Sequence, residues 1–320
     1  MDYEGRICRT PMERSAYKLP VMVGCAYNQC RFCGLFKHLT FRVIPMDVVE
    51  EDIRRVYETG GSPRKIFLGD GSAFALPTEH LIRILELIHR YFPECREINM
   101  NATVSGIMKK GDDELKVLGE NGVRHLYVGL ESGLEDVLRF MNKGNTVAQL
   151  REAVGRIQRY GMFFDAHIMT GSAGSGRYAE NAAATAAVLT ELRASSATNF
   201  SMFIHDGTPL YEDMLSGRFS PASEYENLLE ERELITSISE ALIRSGSHTM
   251  IYESFHDFIK FHVWGSLPDD LDRMMVKLDQ FIEEYREKQA VTAVIDKDSS
   301  FQFQSNILST EPPCLTGRCQ

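Results

Sequence analysis

The sequence predicts an α/β fold: a partial (β/α)6 barrel, TIM-like, with a helical C-terminal extension. Two observations lead to this fold class. Short β-rich runs alternate with helical runs from residue 18 to about residue 205, and after Ser220 longer helical patterns replace the alternation. Six βα units in series imply a parallel sheet with right-handed crossovers, which is either open or curled into a partial barrel, and we expect the partial barrel.

Each βα unit combines a run typical of a strand with apolar residues at helical spacing. The predicted strands are 18–23, 65–68, 97–101, 125–130, 163–170 and 198–204, and the predicted helices are 47–59, 77–92, 112–121, 147–160 and 177–192. Asp47 and Thr78 are the expected N-caps, while Gly60, Gly122 and Gly161 are expected to end helices. In such sheets, chemistry gathers at the C-terminal ends of the strands.

Three regions are expected along the chain. Residues 1–215 form the barrel core, residues 216–289 form a helical extension that covers the barrel and its substrate side, and residues 290–320 form a polar tail. Within the extension, helices are predicted at 224–245 and 268–288. The segment between them is rich in aromatic residues and histidine.

The composition is that of a globular protein, with 43% hydrophobic and 25% charged residues. A formal net charge of −10 argues against a broad surface for nucleic acid or anionic membranes. The first twenty residues carry charges where a signal peptide needs an apolar stretch, and no run approaches the ~18 apolar residues of a membrane span. We therefore expect a cytoplasmic location, where thiols stay reduced.

Three of the seven cysteines stand within nine positions of the stretch GCAYNQCRFCG, directly after the first predicted strand. Apolar filler is a poor account of them, because the loop also carries glycine and asparagine. A zinc site needs a fourth ligand, for which His38 is the nearest candidate. A redox pair of Cys30 and Cys33 leaves Cys25 without a role. Three thiolates also suit a 4Fe–4S cluster with one iron open to an outside ligand.

The stretch GCAYNQCRFCGLFK resembles the cluster loop of the radical SAM family, in a C-x4-C-x2-C variant. The commoner family spacing has three residues between the first two cysteines. Further matches follow in family order: KIFLGDGSAF after strand two, LYVGLESG on strand four, MNKG after it, and DGTPLYE after strand six. The resemblance covers about residues 3–215 and points to the group of oxygen-independent coproporphyrinogen oxidase and the tRNA methylthiotransferases.

The resemblance implies an oxygen-sensitive 4Fe–4S cluster and S-adenosylmethionine as cofactors. Cys25, Cys30 and Cys33 would be the metal ligands and the catalytic centre. The resemblance implies that Phe32 lies beside the cluster and adenine, and that Gly69, Asp70 and Gly71 lie at the methionine ammonium. It also implies that Glu131 contacts the ribose, Lys143 the methionine carboxylate and Gly171 the region of adenine. Asn101 and Ser105 are implied contacts elsewhere on the rim. From the residues alone, Asp70 also suits a turn and Glu131 a helix N-terminus.

The implied reaction is reductive cleavage of S-adenosylmethionine to methionine and a 5′-deoxyadenosyl radical, which abstracts hydrogen from an unidentified small-molecule substrate. It requires a reducing electron donor such as flavodoxin or ferredoxin. Two other classes stay open, namely an iron–sulfur electron-transfer protein and a haem- or tetrapyrrole-binding module. RNA modification is disfavoured by the acidic charge and by the lack of a basic appended domain.

The segment 248–264 is expected to close over the open side of the barrel and to select the substrate, since a carbon radical must be shielded from water. Its candidate contact residues are His248, Tyr252, Glu253, His256 and His262. The alternative is a packed cap whose histidines bond to backbone groups.

The remaining cysteines lie far from the loop in sequence. Cys95 is expected to be structural. Cys314 and Cys319 repeat the x4 spacing in PCLTGRCQ, and with Cys8 they could bind an auxiliary cluster or metal, although tail cysteines are usually incidental.

Overall fold

A computed structural model describes residues 10–246, 248–288, 291–295 and 301–305. The strands are β1 Tyr17–Pro20, β2 Met22–Val23, β3 Arg42–Val43, β4 Lys65–Gly69, β5 Glu97–Ala102, β6 Val123–Glu131, β7 Phe163–Thr170, β8 Ser196–Ser201, β9 Ile204–His205, β10 Met250–His256, β11 Phe261–Leu267, β12 Val291–Ile295 and β13 Phe301–Ser305. The helices are α1 Met46–Glu58, α2 Thr78–Tyr91, α3 Val104–Met108, α4 Asp112–Glu120, α5 Glu135–Phe140, α6 Val147–Arg159, α7 Tyr178–Glu191, α8 Pro209–Leu215, α9 Glu224–Ser245 and α10 Leu271–Arg286.

The central sheet has the strand order β1-β4-β5-β6-β7-β8-β10-β11. Every neighbouring pair from β1 to β10 is parallel, and β11 is antiparallel to β10. The six predicted strands are therefore confirmed as a consecutive parallel series. The C-terminal ends of these strands meet at one edge, which we call the rim.

The extension adds a β-hairpin to this sheet. The two predicted helices are confirmed as α9 and α10, but the segment between them forms β10 and β11, which the sequence analysis did not assign. The hairpin forms because β10 continues the parallel ladder beyond β8, with Tyr252 opposite Ala197 and Phe255 opposite Phe200. The extension is thus mixed α/β rather than wholly helical.

Local capping accounts for the ends of the longest helix. Ser223 and Glu226 form a reciprocal capping box at the start of α9, and Gly246 ends it in a left-handed conformation with φ of 56°. The predicted stops at Gly60, Gly122 and Gly161 are confirmed by positive φ values. No helix of the described residues is long and apolar enough to cross a membrane.

The predicted N-caps of the first two helices are wrong by a small shift. The N-cap positions of α1 and α2 are Pro45 and Pro77, so Asp47 and Thr78 lie inside the first turn. The proline ring sets φ near the value that the chain needs on entering a helix, and Asp47 then interacts with the positive end of the helix dipole.

Candidate active site

The three cysteines lie on the loop between β2 and β3, residues 24–41, which we call the cysteine loop. All three side chains are partly exposed at the rim. The Arg31 amide donates to the Met141 carbonyl (3.0 Å), and the Arg31 carbonyl accepts from the Leu210 amide (3.1 Å). The Arg31 guanidinium also binds Asp213 of α8, with Nε 2.9 Å from Oδ2. The loop is therefore held against the segments that follow α5 and β9.

Close backbone contacts join the cysteine loop to its neighbours. A methyl group at Gly71, where φ is +45°, would lie only 2.1 Å from the Gly24 carbonyl oxygen. One at Gly144 would lie 2.7 Å from the hydroxyl of Tyr27, which donates to the Asn142 carbonyl. Glycine at these positions lets the loops after β4 and α5 pack directly on the cysteine loop.

The three thiols can act as metal ligands once they are deprotonated. Burial raises the pKa of Cys30 and raises that of Cys33 to about 11, so both thiols must lose a proton when iron binds. Among the described residues, no three His, Cys, Asp or Glu side chains stand close enough to share one metal ion. A cluster suits this spacing because each thiolate binds a different iron atom.

Glu131 and Lys143 form a buried ion pair beside these thiols. Lys143 Nζ lies 2.8 Å from Glu131 Oε1, each side chain is 11% exposed, and Nζ also stands 5.8 Å above the Phe32 ring. Burial alone would lower the pKa of Lys143. The negative charges of Glu131 and Cys30 outweigh burial, so the pKa lies above that of an ordinary lysine. Lys143 is therefore protonated beside the thiols, and the Glu131 carboxylate balances its charge. Both residues were expected at the cofactor, but the contact between them was not predicted.

The end of β6 is shaped for this pair. Glu131 has a φ of +60°, and the ladder between β6 and β7 shifts register there. A methyl group at Gly129 would lie 2.3 Å from Glu131 Oε1 and 2.8 Å from Lys143 Nζ. Glycine at 129 thus leaves the space that both charged groups occupy.

Asp70 makes a buried ion pair that the sequence did not reveal. Its Oδ1 lies 2.5 Å from Lys18 Nζ, and both side chains are 4% exposed. A methyl group at Gly69 would lie 2.5 Å from the Lys18 side chain. Asp70 therefore joins the loop after β4 to β1, in addition to the turn that its sequence context suggests.

The other predicted rim contacts are spread apart. Asn101 ends β5 with a buried Oδ1 that lacks a hydrogen-bond partner among the described residues, and Ser105 is exposed on α3, 3.3 Å from Thr103 Oγ1. Gly171 faces the outer helix layer. Its amide donates to Glu230 Oε2 (3.0 Å), and a methyl group there would lie 2.5 Å from Asn227 Oδ1.

The hairpin residues divide between the two faces of the sheet. Tyr252 and His256 are fully buried in the main core between the sheet and α9, so the expected ligand contact of these two side chains is corrected. The reason is strand alternation, which points Glu253 to the inner face instead. There Glu253 Oε1 contacts His262 Nε2 (2.9 Å) and Arg14 Nη2 (2.6 Å). His248 is partly buried just before β10.

A buried acidic network lies under α9, and sequence reasoning missed it. His256 Nδ1 is 3.1 Å from Glu224 Oε2, and its Nε2 is 2.7 Å from Glu231 Oε2. Burial lowers the pKa of His256, but the two carboxylates outweigh this and raise it to about 10. Burial raises the pKa of the neighbouring Glu230 to about 8. His256 is therefore a charged partner of α9 and is not available as a metal ligand.

A ladder of rings lines the inner face of the sheet. His167 stacks on Tyr127 and meets Phe200 edge-on, Phe200 stacks on Phe255, and Phe255 stacks on His262 at 4.7 Å between centroids. His167 Nε2 is buried without a hydrogen-bond partner among the described residues. The strand at 163–170 was predicted from the sequence, but no motif marked His167.

A cavity of about 370 Å³ opens at the rim beside the glycine-rich loop after β7. Its lining includes Ser172, Gly174 and Ser175 of that loop, together with Phe140 and Phe219. These two rings stack at 5.7 Å, in the same apolar cluster as Phe32. The cavity thus adjoins the cysteine loop.

Of the other cysteines, Cys95 is buried, as expected of a structural residue, whereas Cys8, Cys314 and Cys319 lie outside the described residues.

The segment that carries the loop and the rim pair matches a known family. The model of the Radical SAM superfamily matches residues 19–172, so the chain carries a radical SAM domain. Members of this superfamily are enzymes, and the class uses a 4Fe–4S cluster and S-adenosylmethionine.

Individual relatives fall in the group suggested by the motifs. The chain is 27% identical over 228 residues to tRNA-2-methylthio-N(6)-dimethylallyladenosine synthase of Chlorobium phaeovibrioides, covering 69% of this chain and 49% of that protein. It is 24% identical over 221 residues to the heme chaperone HemW of Bacillus subtilis, covering 66% and 57%. The chain therefore spans about half the length of the curated relatives it matches.

Solved structures share the fold. Coproporphyrinogen III oxidase from Escherichia coli superposes with a TM-score of 0.55 at 16% identity, covering 88% of this chain and 62% of that one. Methylornithine synthase gives a TM-score of 0.51 at 14% identity, covering 85% and 81%. These likenesses concern the fold, and they confirm the predicted class of an α/β, TIM-like partial barrel.

Proposed function

We propose that this protein cleaves S-adenosylmethionine reductively at the rim and directs the product radical at a small molecule held inside the barrel. The observation that carries the proposal is the meeting of the cysteine loop with the Glu131–Lys143 pair at one edge of the sheet. When bound, the 4Fe–4S cluster supplies the electron for cleavage and an open iron for the methionine end of the cofactor.

Each rim residue then has a role in binding. Cys25, Cys30 and Cys33 hold the cluster, and the Lys143 ammonium lowers the pKa of Cys30 and Cys33 against the larger, raising effect of burial. Glu131 accepts from the ribose hydroxyls, while the close-packed loop at Gly69–Gly71 offers backbone groups to the methionine.

The adenine end is proposed to lie near Phe32, in or beside the cavity whose wall includes Gly174 of the loop after β7. The amide of Gly171 already binds Glu230. We therefore propose that Gly171 orients the loop after β7, and that its neighbours Ser172, Gly174 and Ser175 in the cavity wall contact adenine.

The substrate is proposed to occupy the inner face of the sheet, near Glu253 and His262 of the hairpin. The unpartnered Nε2 of His167 supports this position, because a buried polar atom without a partner is costly unless a ligand or water satisfies it. The electron for cleavage is proposed to come from a cytoplasmic donor such as flavodoxin or ferredoxin, which would reduce the cluster rather than the substrate. The three regions 1–215, 216–289 and 290–320 remain our proposed domains.

Anaerobic reconstitution tests the proposal. The wild-type chain is expected to bind about four irons and to form 5′-deoxyadenosine from S-adenosylmethionine with dithionite as reductant. Replacing Cys25, Cys30 and Cys33 together by Ala should abolish both, whereas Cys95→Ala, at a buried cysteine remote from the rim, should keep both. A full cluster in the triple variant would refute the ligand assignment. A cluster without deoxyadenosine would favour an electron-transfer protein.

A further inference from the structure

A second cavity lies at the pole of the barrel opposite the rim, where the strands begin. It measures about 320 Å³ and is lined by Arg96, Glu97, Arg124, His125 and Phe163. These residues stand at or next to the first residues of β5, β6 and β7. Chemistry in such sheets gathers at the C-terminal ends of the strands, so a ligand held at this pole takes no part in the reaction at the rim.

Arg124 brings a positive charge to this cavity that no acidic group balances. Its Nη1 donates to the carbonyls of Gly119 (2.6 Å) and Val123 (3.0 Å), which holds the guanidinium in place. Among the residues that the structure describes, Arg124 has no carboxylate within ion-pair distance, and its Nε and Nη2 have no hydrogen-bond partner. A planar guanidinium with these two nitrogens free can bind both oxygens of a carboxylate or a phosphate.

His125 adds a second donor whose ring is fixed in orientation. Its Nδ1 lies 2.7 Å from Asp165 Oδ2, and the other oxygen of Asp165 accepts from Ser196 Oγ (2.6 Å). Burial lowers the pKa of His125, but the hydrogen bond and the charge of Asp165 outweigh burial, so the pKa lies above the ordinary histidine value. The protonated ring donates to Asp165 from Nδ1 and keeps Nε2–H for an anion.

Phe163 gives the cavity an apolar wall. Its side chain is 50% exposed, which leaves a large aromatic surface in contact with water. The ring stacks on His125 with 4.9 Å between centroids, because the two residues are directly opposite each other on β7 and β6. An aromatic side chain of this kind gains free energy when a second flat ring covers it.

The other two lining residues do not cancel the charge of Arg124. Arg96 Nη2 stands 3.6 Å from Glu94 Oε2, and both side chains are exposed, so this ion pair is weak. Glu97 Oε2 lies 3.4 Å from Lys65 Nζ, which balances its carboxylate. The lining therefore carries two guanidinium groups against one carboxylate, on a chain whose net charge is −10.

We propose that this cavity is a second binding site, for a small organic anion in which a carboxylate or a phosphate is attached to a flat ring system. Arg124 binds the oxyanion through Nε and Nη2, His125 donates to it from Nε2, and the ring packs against Phe163. A volume of about 320 Å³ is at the lower end of the range of small-molecule sites, which suits one small anion. The inference does not depend on the proposed function, because none of these residues lies at the rim.

Titration calorimetry of the reconstituted full chain tests the site. The probes are AMP and benzoate, each compared with its counterpart without a ring, inorganic phosphate or acetate. S-adenosylmethionine is present in excess, so that AMP does not bind where the adenine is proposed to lie. At least one ring anion should bind with saturation, and Arg124→Gln should raise its Kd by at least about tenfold, since a charge-assisted pair is lost. Phe163→Ser should bring the Kd of the ring anion close to that of its counterpart.

Controls show that the effect belongs to this cavity. Arg159 of α6 is exposed and also donates to a backbone carbonyl, that of Gly155 (3.4 Å), so Arg159→Gln is the matched control and should keep the wild-type Kd. Far-UV circular dichroism should be the same in all variants, which establishes that they are folded. Tighter binding of AMP identifies a phosphate ester as the ligand, and tighter binding of benzoate a carboxylate. Failure of the wild type to bind either ring anion, or an unchanged Kd in Arg124→Gln, would overturn the proposal.

Discussion

Glu131 combines a strained backbone with a buried charge at the end of β6. A non-glycine residue in the left-handed region costs roughly 1–2 kcal/mol, so the surrounding contacts must hold it there. The 2.8 Å hydrogen bond from Lys143 Nζ is one such contact. The lack of a side chain at Gly129 leaves room for the Glu131 carboxylate in this position. Its carboxylate is thereby fixed at the rim, with one oxygen committed to Lys143.

The first prediction is that Glu131→Gln binds S-adenosylmethionine at least tenfold more weakly while keeping about four irons per chain. The amide has lost the negative charge, and charge-assisted hydrogen bonds are worth roughly 1.5–3 kcal/mol each. Isothermal titration and iron analysis measure the two quantities. Glu152→Gln, at an exposed position on α6, is the matched control. An unchanged affinity would remove Glu131 from the cofactor site.

At the scale of elements, α9 is joined to the sheet by charges rather than by apolar contacts alone. Glu224 and Glu231 hold His256 of β10, and Glu230 binds the Gly171 amide and Asn181 of α7. The helix therefore links the hairpin to the loop after β7. Because these groups are buried, their protonation is coupled to folding.

The second prediction concerns stability against pH. The pKa of His256 is raised to about 10 on folding, so its contribution is complete below about 6.5 and is lost as the pH rises through 10. The pKa of Glu230 is also raised, from 4.5 to about 8, so its carboxyl destabilises the fold progressively as the pH rises from about 4.5 through 8. The free energy of unfolding should therefore fall between pH 6.5 and 10.

Urea unfolding of His256→Gln checks this dependence. The variant should be less stable at pH 6.5 by about 3–5 kcal/mol, since a buried ion pair has lost one partner, and its fall toward pH 10 should be shallower. His38→Gln, at an exposed histidine, should follow the wild-type curve. Parallel curves for His256→Gln and the wild type would contradict the charged state assigned to His256.

At the scale of the whole molecule, contacts distant in sequence hold the rim together. The cysteine loop is bound to the segments near Met141 and Leu210, and Arg14 before β1 reaches Glu253 of the hairpin. The proposed cluster therefore depends on residues between 24 and 215, and the hairpin continues the sheet toward the N-terminal segment.

The third prediction is that deletion of residues 310–320 leaves both iron content and deoxyadenosine formation unaltered. Cysteines in a polar tail are usually incidental, and the cysteine loop already offers three cysteines for one cluster. Iron analysis of the reconstituted, truncated chain measures the outcome. A loss of iron beyond that of one cluster would show that Cys314 and Cys319 bind an auxiliary group.

The sequence by itself determined the parallel βα series, the cysteine loop at its rim and the class of enzyme. These features depend on local spacing: strand and helix periods, glycine stops such as Gly122, and three cysteines within nine positions. Each is visible within a short window, because the physical constraint acts between residues close in the chain.

The tertiary structure alone decided which charges meet. Lys18 pairs with Asp70 across 52 positions, and His256 lies between two carboxylates of a helix 25 and 32 positions away. Tyr252 looked equivalent to Glu253 as a substrate contact until the register of β10 placed them on opposite faces. Such pairings arise from strand order and helix packing, which no local pattern in the sequence encodes.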